Sequence, residues 1–414
     1  MNLLWIDNEQ KLKDLKNNYI PIKKIESKYN FNSLKDYFNN LKVSKETLFE
    51  TIEYLYYKIN RVLYIQIRNN QTKFYYIVNK DFKNDWHQNL NFNQFKNPEG
   101  LINTLKKKFP KKLSGDILPP EKWTANGCLL NIIDYSKFQD IYQPSQYINF
   151  FMEIFTEATK EFIFPDSDFL INDRDFPLLR KDYRPSFLDF YPEDYYLPKK
   201  IYHPLFSQSS TIEHFDIPII NMDDWESLKD KNIYPDFKDK KNQIVFRGSL
   251  TGCYKDNNNK RYLWYQLTKN NKNFDYGITK LVERIKVSKN NVYFNDIDLH
   301  ISNKLNYNQQ ANYKYIMDLP GNSAAYRFGG FFRFKSVQLK VKTPYYLWFE
   351  PFIKDKKDYY LIENLNDVNN ILNKNNEEIS ENGYKFYKNY LNKKMLLKYL
   401  FMMAYHLNQL DIMN

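Results

Sequence analysis

The chain has little cysteine, few glycines and no long apolar run, and each shortage excludes a class of protein. Its 414 residues include two cysteines, Cys128 and Cys253, which excludes a disulfide framework and a CxxC zinc site. The five histidines show no metal-ligand spacing such as HExxH. The 10 glycines form neither GxGxxG nor a P-loop, which argues against dehydrogenases and P-loop kinases. The sequence has no stretch of about 18 apolar residues, so no membrane span is predicted.

The first ten residues do not follow the pattern of a secretory signal. MNLLWIDNEQ carries acids where a signal peptide has basic and then apolar residues. Together with the shortage of cysteine, this predicts a reducing, cytoplasmic setting.

What the chain has is a large aromatic and basic content. Hydrophobic residues make up 43% and aromatic residues 18%, which is enough for a folded core of two domains. The net charge is +12, but the lysines are mixed with acids and form no long basic run. Nucleic acid is therefore not predicted as the main partner. The abundance of Asn, Lys, Ile and Tyr is typical of an AT-rich genome, such as that of some large DNA viruses.

Residues 313–351 are the most informative stretch of the sequence. They predict a strand (313–319), a Pro-Gly-Asn turn, a helix (323–335) and a second strand (337–341). Ser323 would cap the helix, whose free N–H groups and dipole suit a phosphate. Arg327, one turn later, would bind a diphosphate through two parallel hydrogen bonds of its guanidinium. The alternative is an ordinary strand–helix–strand unit with a surface arginine.

A second candidate phosphate element follows the predicted strand 243–246 (QIVF), at Arg247, Gly248 and Ser249. Gly248 lets the backbone approach an anion, and Ser249 offers a hydroxyl. Alone, FRGS fits a strand-to-loop turn equally well. Together, the two elements predict a site for a nucleotide diphosphate.

Periodicity predicts an α/β order for the remaining elements. The predicted helices are 45–60, from 145 onward, 279–287, 367–373, 377–391 and 393–410, and the predicted strands are 62–67, 73–78, 161–164, 169–172 and 359–362. The strands 62–67 and 73–78 form a hairpin. A stripe of Leu396, Leu400, Met403 and Leu407 on the last helix indicates core packing.

Two D-x-D pairs, Asp166 with Asp168 and Asp173 with Asp175, leave two mechanisms open. Such pairs can hold a divalent metal that bridges the phosphates of a sugar nucleotide, although loop acids that cap turns are commoner. Alternatively, a single carboxylate such as Asp175 takes the proton of an acceptor hydroxyl, while arginines stabilise the departing diphosphate. The second scheme needs no metal.

Four blocks follow one another along the chain: 171–177 (INDRDFP), 206–217 (FSQSSTIEHFDI), 245–252 (VFRGSLTG) and 313–352. In this order, and with the stretch 383–391 as the family's usual ending, they resemble glycosyltransferase family 90, which includes Rumi-like protein O-glucosyltransferases and fungal capsule-associated xylosyltransferases. The resemblance covers about residue 118 to the C-terminus. The resemblance implies an α/β, GT-B-like fold, in which two Rossmann-like domains face each other across a cleft, with an additional N-terminal segment.

The resemblance also implies a metal-independent, inverting transfer of a glucose- or xylose-type sugar. The donor is a UDP-sugar, which is a substrate, so no cofactor or metal is expected. Asp175 matches the family's general base. The donor-binding positions are Arg247, Gly248, Ser249, Arg261, Ser323, Ala324, Ala325 and Arg327, with the match at Arg261 blurred by extra residues at 257–260.

The expected domain limits are 1–117 for an N-terminal accessory segment, 118–237 for the acceptor side and 238–384 for the nucleotide-sugar side, with the C-terminal helices (385–414) packing back. Leu250 replaces a basic residue of the animal members, and their secretory signal and paired cysteines are missing. This argues against folded extracellular modules as acceptors and favours a hydroxyl of a glycan or another protein. The alternatives are a metal-dependent D-x-D transferase and an inactive glycan- or nucleic-acid-binding protein.

Overall fold

The computed structural model of the chain describes residues 2–23, 32–59, 61–80, 145–181, 202–252, 259–281, 286–287, 292–293 and 299–412. The predicted boundary at 117/118 and part of the inserted loop at 257–260 lie outside these residues. In the described part of the chain, no helix is both long and apolar enough to cross a membrane.

The N-terminal segment folds into strands and helices of its own. In chain order they are β1 (Leu3–Ile6), α1 (Glu9–Asn17), a 3-10 helix (Asn32–Phe38), α2 (Lys45–Tyr54) with a π-helical extension (Leu55–Ile59), β2 (Arg61–Arg68) and β3 (Gln71–Val78). The predicted hairpin is confirmed, since β2 and β3 pair antiparallel. Asn69 and Asn70 form its turn with φ of 50° and 59°, a left-handed conformation that asparagine tolerates better than most residues.

The same sheet continues after residue 145. The next elements are α3 (Gln146–Glu161), β4 (Ser167–Ile171), β5 (Leu205–Ser207), β6 (Ile217–Pro218) and α4 (Met222–Ser227). The strand order is β1-β3-β2-β4-β5-β6, and β2 pairs antiparallel with β4. The segment predicted as an accessory unit therefore supplies three of the six strands of this sheet. It is joined to the rest of the sheet by the pairing of β2 with β4.

The second sheet is parallel throughout. Its region contains β7 (Lys241–Leu250), α5 (Lys260–Thr268), β8 (Phe274–Leu281), the hairpin β9 (Lys286–Val287) and β10 (Val292–Tyr293), α6 (Tyr307–Gln310), β11 (Tyr313–Asp318), α7 (Arg327–Phe331), β12 (Val337–Val341) and β13 (Tyr360–Ile362). The order is β13-β12-β11-β7-β8. The chain leaves the central pair, β7 and β11, in opposite directions. In such sheets, ligands bind beyond the carboxyl ends of the two strands that flank this reversal.

Two sheets rich in parallel pairs, with helices between their strands, confirm the predicted α/β class. The doubly wound order of the second sheet is that of a Rossmann-like domain.

Three local predictions are wrong. The helix predicted at 323–335 begins only at Arg327, is five residues long and continues as a 3-10 turn (Phe332–Phe334), so Ser323 does not cap it. Residues 279–287 contain the end of β8 and the short β9, because pairing of β8 with β7 outweighs local helix propensity. Residues 162–164, predicted as part of a strand, connect α3 to β4.

The described chain ends in three helices, α8 (Leu365–Leu372), α9 (Glu377–Tyr390) and α10 (Lys393–Ile412). α8 packs in the core of the second sheet, whereas α10 packs on α3 and β4 of the first sheet. The apolar stripe of α10 is fully buried, as predicted from its spacing. The same core contains Phe328 of α7 and Trp348, so the region after β11 also packs against the first sheet.

Candidate active site

A cavity of about 470 Å³ lies beyond the carboxyl ends of β7 and β11. This volume is within the range of small-molecule sites, roughly 300–1,000 Å³. Every residue that the sequence predicted as catalytic or donor-binding lines it: Asp175, Arg247, Gly248, Ser249, Arg261, Ser323, Ala324, Ala325 and Arg327. The structure therefore brings together residues from both sheets, while the role of each stays a prediction.

Arg261 joins the end of β7 to the loop that follows β11. Its guanidinium donates to the backbone carbonyls of Ser249 at 2.6 Å, Leu319 at 3.0 Å and Pro320 at 3.1 Å. Burial and the neighbouring Arg327 lower its pKa to about 10, so it remains charged at neutral pH. Since three of its five donors are bound to backbone, Arg261 is placed to fix the shape of the site.

Two glycines leave room beside Arg261, one within β7 (Gly248) and one in the loop after β11 (Gly321). A Cβ on Gly321 would clash with Oγ1 of Thr251 and lie 3.1 Å from Nη2 of Arg261. A Cβ on Gly248 would lie 2.8 Å from Cζ of Phe246. A side chain at either position would therefore displace Thr251 or Phe246.

Arg247 lines the cavity, but its guanidinium is largely bonded to protein. It donates to the carbonyl oxygens of Asn303 at 3.0 Å, Phe246 at 2.9 Å and Asp275 at 2.6 Å. Its Nη2 also pairs with Oδ1 of Asp275 at 2.5 Å. Burial acts to raise the pKa of Asp275, but hydrogen bonds from Tyr313 and Arg247 outweigh it and lower the pKa. Arg247 therefore links β7 to β8, whatever it contributes to a ligand.

Arg327 has more donors available than Arg247. Its guanidinium lies between the rings of Phe246 and Phe331, 5.3 Å from each centroid. Nη1 donates to the carbonyl of Arg247 at 2.6 Å, and no carboxylate of the described residues lies within ion-pair distance. Two aromatic rings lie beside this charge, and its remaining N–H groups favour an anion in the cavity.

A tyrosine from the second half of the chain holds the loop that carries Asp175. The hydroxyl of Tyr326 donates to the backbone carbonyl of Asp175 at 2.7 Å and lies 3.2 Å from Oγ of Ser323. Burial raises the pKa of Tyr326 well above its usual value, so the hydroxyl keeps its proton. This contact joins the INDRDFP block to the block that contains Ser323 and Arg327.

The other end of the Asp175 loop is fixed by a buried carboxylate. Asp216 accepts hydrogen bonds from the N–H groups of Leu178 at 2.8 Å and Leu179 at 2.7 Å, and from the hydroxyl of Ser207 at 2.5 Å. Burial raises its pKa to about 6. The FSQSSTIEHFDI block thus supports the loop after β4 through Ser207 and Asp216.

The D-x-D partners of the sequence are bonded within the first sheet. Asp168 pairs with Arg68 at 2.8 Å, and Asp173 pairs with Arg61 at 3.0 Å. Both carboxylates are completely buried. Asp173 is thus held in an ion pair with Arg61, whereas Asp175 lines the cavity.

The cavity also contains residues that sequence reasoning missed, including Tyr147, Asp223, Thr251, Lys304 and Tyr307. Asp223 lies in the first turn of α4, where acids commonly stabilise a helix. Tyr147 belongs to the amphipathic pattern of α3. Nothing in the local pattern marks either residue as part of a site, so only the fold reveals them.

Comparison with known proteins agrees with this geometry. The family model described as "Glycosyl transferase family 90" matches residues 124–411. "Uncharacterized protein 035R" of Invertebrate iridescent virus 3 is 26% identical over 397 aligned positions, which cover 84% of this chain and 35% of that protein. "Uncharacterized protein 179R" of Invertebrate iridescent virus 6 is 24% identical, covering 88% of this chain and 37% of that protein. The chain thus spans about a third of the length of these curated relatives, and both are virus proteins, consistent with the viral origin that the composition suggests.

Among solved structures, a crystal structure of the GtfA/B complex aligns with a TM-score of 0.31 and 11% identity, covering 52% of this chain and 42% of that one. At that level the likeness adds no argument. The family match covers well over half of the chain and includes the blocks that build the cavity, and the chain therefore belongs to glycosyltransferase family 90.

Proposed function

We propose that the chain is an inverting glycosyltransferase that moves a glucose- or xylose-type sugar from a UDP-sugar to a hydroxyl of a glycan or protein. The observation that carries this proposal is that Asp175 and Arg327, from different sheets, line one cavity at the reversal point of a doubly wound sheet. Family membership supports the transfer of a glycosyl group, and the cavity supplies the groups that such a transfer needs.

The donor diphosphate would lie against Arg327 and the loop of residues 321–325. Arg327 offers N–H donors and a charge that no described carboxylate neutralises by direct pairing. Ser249 and Ser323 add hydroxyls, and Arg261 holds the loops that present them. These groups stabilise the charge that develops on the diphosphate as the bond to the sugar breaks.

Asp175 would act as the general base. Its carboxylate takes the proton of the acceptor hydroxyl while that oxygen attacks the anomeric carbon from the face opposite the diphosphate. The new bond inverts the configuration at this carbon, and UDP leaves with the electron pair of the broken bond. The backbone contacts made by Tyr326 and Asp216 hold this loop in place during the attack.

A ligand screen tests the donor half of the proposal. Thermal denaturation would be followed with UDP, GDP, UDP-glucose and UDP-xylose, since a ligand that binds only the folded chain raises its melting temperature. We expect UDP and at least one UDP-sugar to stabilise the chain and GDP to do so less. Equal stabilisation by all four, or by none, would contradict a UDP-sugar site.

Two aspartates only two residues apart test the catalytic half. Asp175→Asn should abolish UDP release from a UDP-sugar while leaving UDP affinity nearly intact. Asp173→Asn is the matched control, because it removes the Arg61 ion pair and should cost stability but not turnover per folded molecule. Full activity of Asp175→Asn would remove this residue from the mechanism. Loss of activity in excess EDTA would instead support the metal-dependent alternative.

A further inference from the structure

A second carboxylate in the cavity has no part in the scheme above. Asp223, in the first turn of α4, lines the main cavity and also an adjoining cavity of about 160 Å³. Arg327 and Tyr307 likewise line both cavities, so these three residues stand where the two spaces meet.

The backbone at Asp223 is fixed, but its carboxylate is not engaged by protein. Asn221 caps α4 by accepting from the N–H of Asp224, and Asp224 is anchored by the indole N–H of Trp348 at 2.8 Å. The carboxylate of Asp223 itself accepts no hydrogen bond and makes no ion pair among the residues that the structure describes. A half-buried acceptor of this kind is stabilised when a ligand supplies the missing donors.

Asp223 shares the main cavity with Asp175 and Arg327. Burial raises the pKa of Asp223, and the neighbouring charges of Arg327 and Arg333 partly offset this rise. Asp175 and Asp223 both act on Tyr147, whose pKa burial and these two charges raise. The donor sugar must stand in this same region, because its anomeric carbon has to reach both the acceptor oxygen at Asp175 and the diphosphate at Arg327.

We propose that Asp223 is a specificity-determining residue that accepts hydrogen bonds from hydroxyl groups of the donor sugar. A carboxylate offers lone pairs to two neighbouring hydroxyls at once, and charge-assisted bonds of this type are stronger than neutral ones. A site built around such bonds discriminates strongly against a sugar that lacks one of the hydroxyls. This inference rests on the proposed function, since it concerns the sugar of the same UDP-sugar donor.

Two purely structural roles for Asp223 make different predictions. As a first-turn acid it would stabilise α4 through the helix dipole and would affect folding only. If Asp223 instead orients Arg327 through its negative charge, its replacement would weaken the binding of UDP and of UDP-sugars equally. A direct contact with the sugar affects UDP-sugars alone, because UDP carries no sugar.

The test is calorimetric titration of the full chain and of Asp223→Asn with UDP, UDP-glucose and UDP-xylose. Glu226→Gln is the matched control, because it makes the same acid-to-amide change on α4. Glu226 is exposed and paired with Lys229, and it lines the adjoining cavity but not the main cavity. We expect Asp223→Asn to weaken binding of the preferred UDP-sugar by about tenfold with UDP affinity unchanged, and Glu226→Gln to change neither. Asp223→Glu, which shifts the carboxylate by one methylene, should alter the ratio of UDP-glucose to UDP-xylose affinity.

Unchanged affinity of Asp223→Asn for both UDP-sugars would overturn the inference. So would an equal loss for UDP and the UDP-sugars, because Asp223 would then act through Arg327. If the unmodified chain binds neither UDP nor any UDP-sugar, the proposed function itself fails, whereas tight binding that Asp223→Asn leaves intact refutes only the role of Asp223. Melting curves of each variant show that folded protein is being compared.

Discussion

Removal of a single hydroxyl, in Tyr326→Phe, tests whether the donor-side loop positions Asp175, the proposed general base. The phenyl ring is retained, so the change deletes the 2.7 Å hydrogen bond to the carbonyl of Asp175 and the 3.2 Å contact with Oγ of Ser323. Loss of one such neutral bond costs about 1 kcal/mol of stability. The effect on turnover should be larger, because a misplacement of about 1 Å at a catalytic group can cost on the order of 100-fold.

The matched control is Tyr399→Phe. Tyr399 is also buried, and its hydroxyl donates to a backbone carbonyl, that of Pro218, at 2.7 Å. Both variants should lose similar stability in urea unfolding, but only Tyr326→Phe should slow UDP release from a UDP-sugar, by roughly tenfold or more. Its affinity for UDP, measured by calorimetry, should remain that of the unmodified chain. Equal turnover in the two variants would refute the positioning role of Tyr326.

Four further substitutions probe the donor site and the contact between α4 and α7. Arg327→Ala should weaken UDP binding by roughly 10–100-fold in calorimetry with little change in melting temperature. Arg247→Ala should mainly lower the melting temperature, because it removes the ion pair with Asp275. The opposite pattern would exchange their roles. Gly321→Ala should cost about 1–3 kcal/mol in urea unfolding, because its methyl group would clash with Thr251; an unchanged midpoint would show that the loops can separate. Burial raises the pKa of Asp224 to about 8 from 3.8, so the folded chain holds this proton more tightly than the unfolded chain. The contribution of protonated Asp224 to the free energy of unfolding is complete below about pH 4. It is lost as the pH rises through 8, and the free energy falls by up to about 1.4 kcal/mol per pH unit. Urea unfolding of Asp224→Asn should therefore depend less on pH between 5 and 8, and parallel pH profiles would exclude this titration.

The residues of the cavity were predictable because they belong to short blocks with unusual chemistry. Gly248 and Ser249 come directly after the apolar run 243–246, although β7 continues through them to Leu250. Arg327 follows a strand and a Pro-Gly turn. Both elements lie at the carboxyl ends of neighbouring parallel strands, where pattern and topology agree. Asp175 was identified by its block rather than by its pattern, since a D-x-D pair alone also fits a metal site.

The distinction between Arg247 and Arg327 was not predictable from sequence. Both arginines stand near glycines in candidate phosphate elements, and local sequence gives them equal weight. The difference lies in partners that the fold supplies: Asp275 of β8 binds Arg247, while aromatic rings flank Arg327. The start of α7 was misjudged for a related reason. Ser323 and the two alanines favour a helix locally, but Ser323 instead contacts Tyr326 and the backbone of Gly321.

The contact between α4 and α7 links the residue proposed to bind the donor sugar to the residue proposed to bind the diphosphate. Gly329 of α7 packs so closely on α4 that a Cβ there would clash with Oδ1 of Asp224. Asp223 precedes Asp224 on α4, and Arg327 lies two residues before Gly329 on α7. The contact between the helices therefore sets the distance between the residue proposed to bind the sugar and the residue proposed to bind the diphosphate. A larger residue at 329 would push the helices apart and widen that distance. The absence of a side chain at Gly329 is therefore part of the geometry of the cavity, although this residue does not touch the ligand space itself.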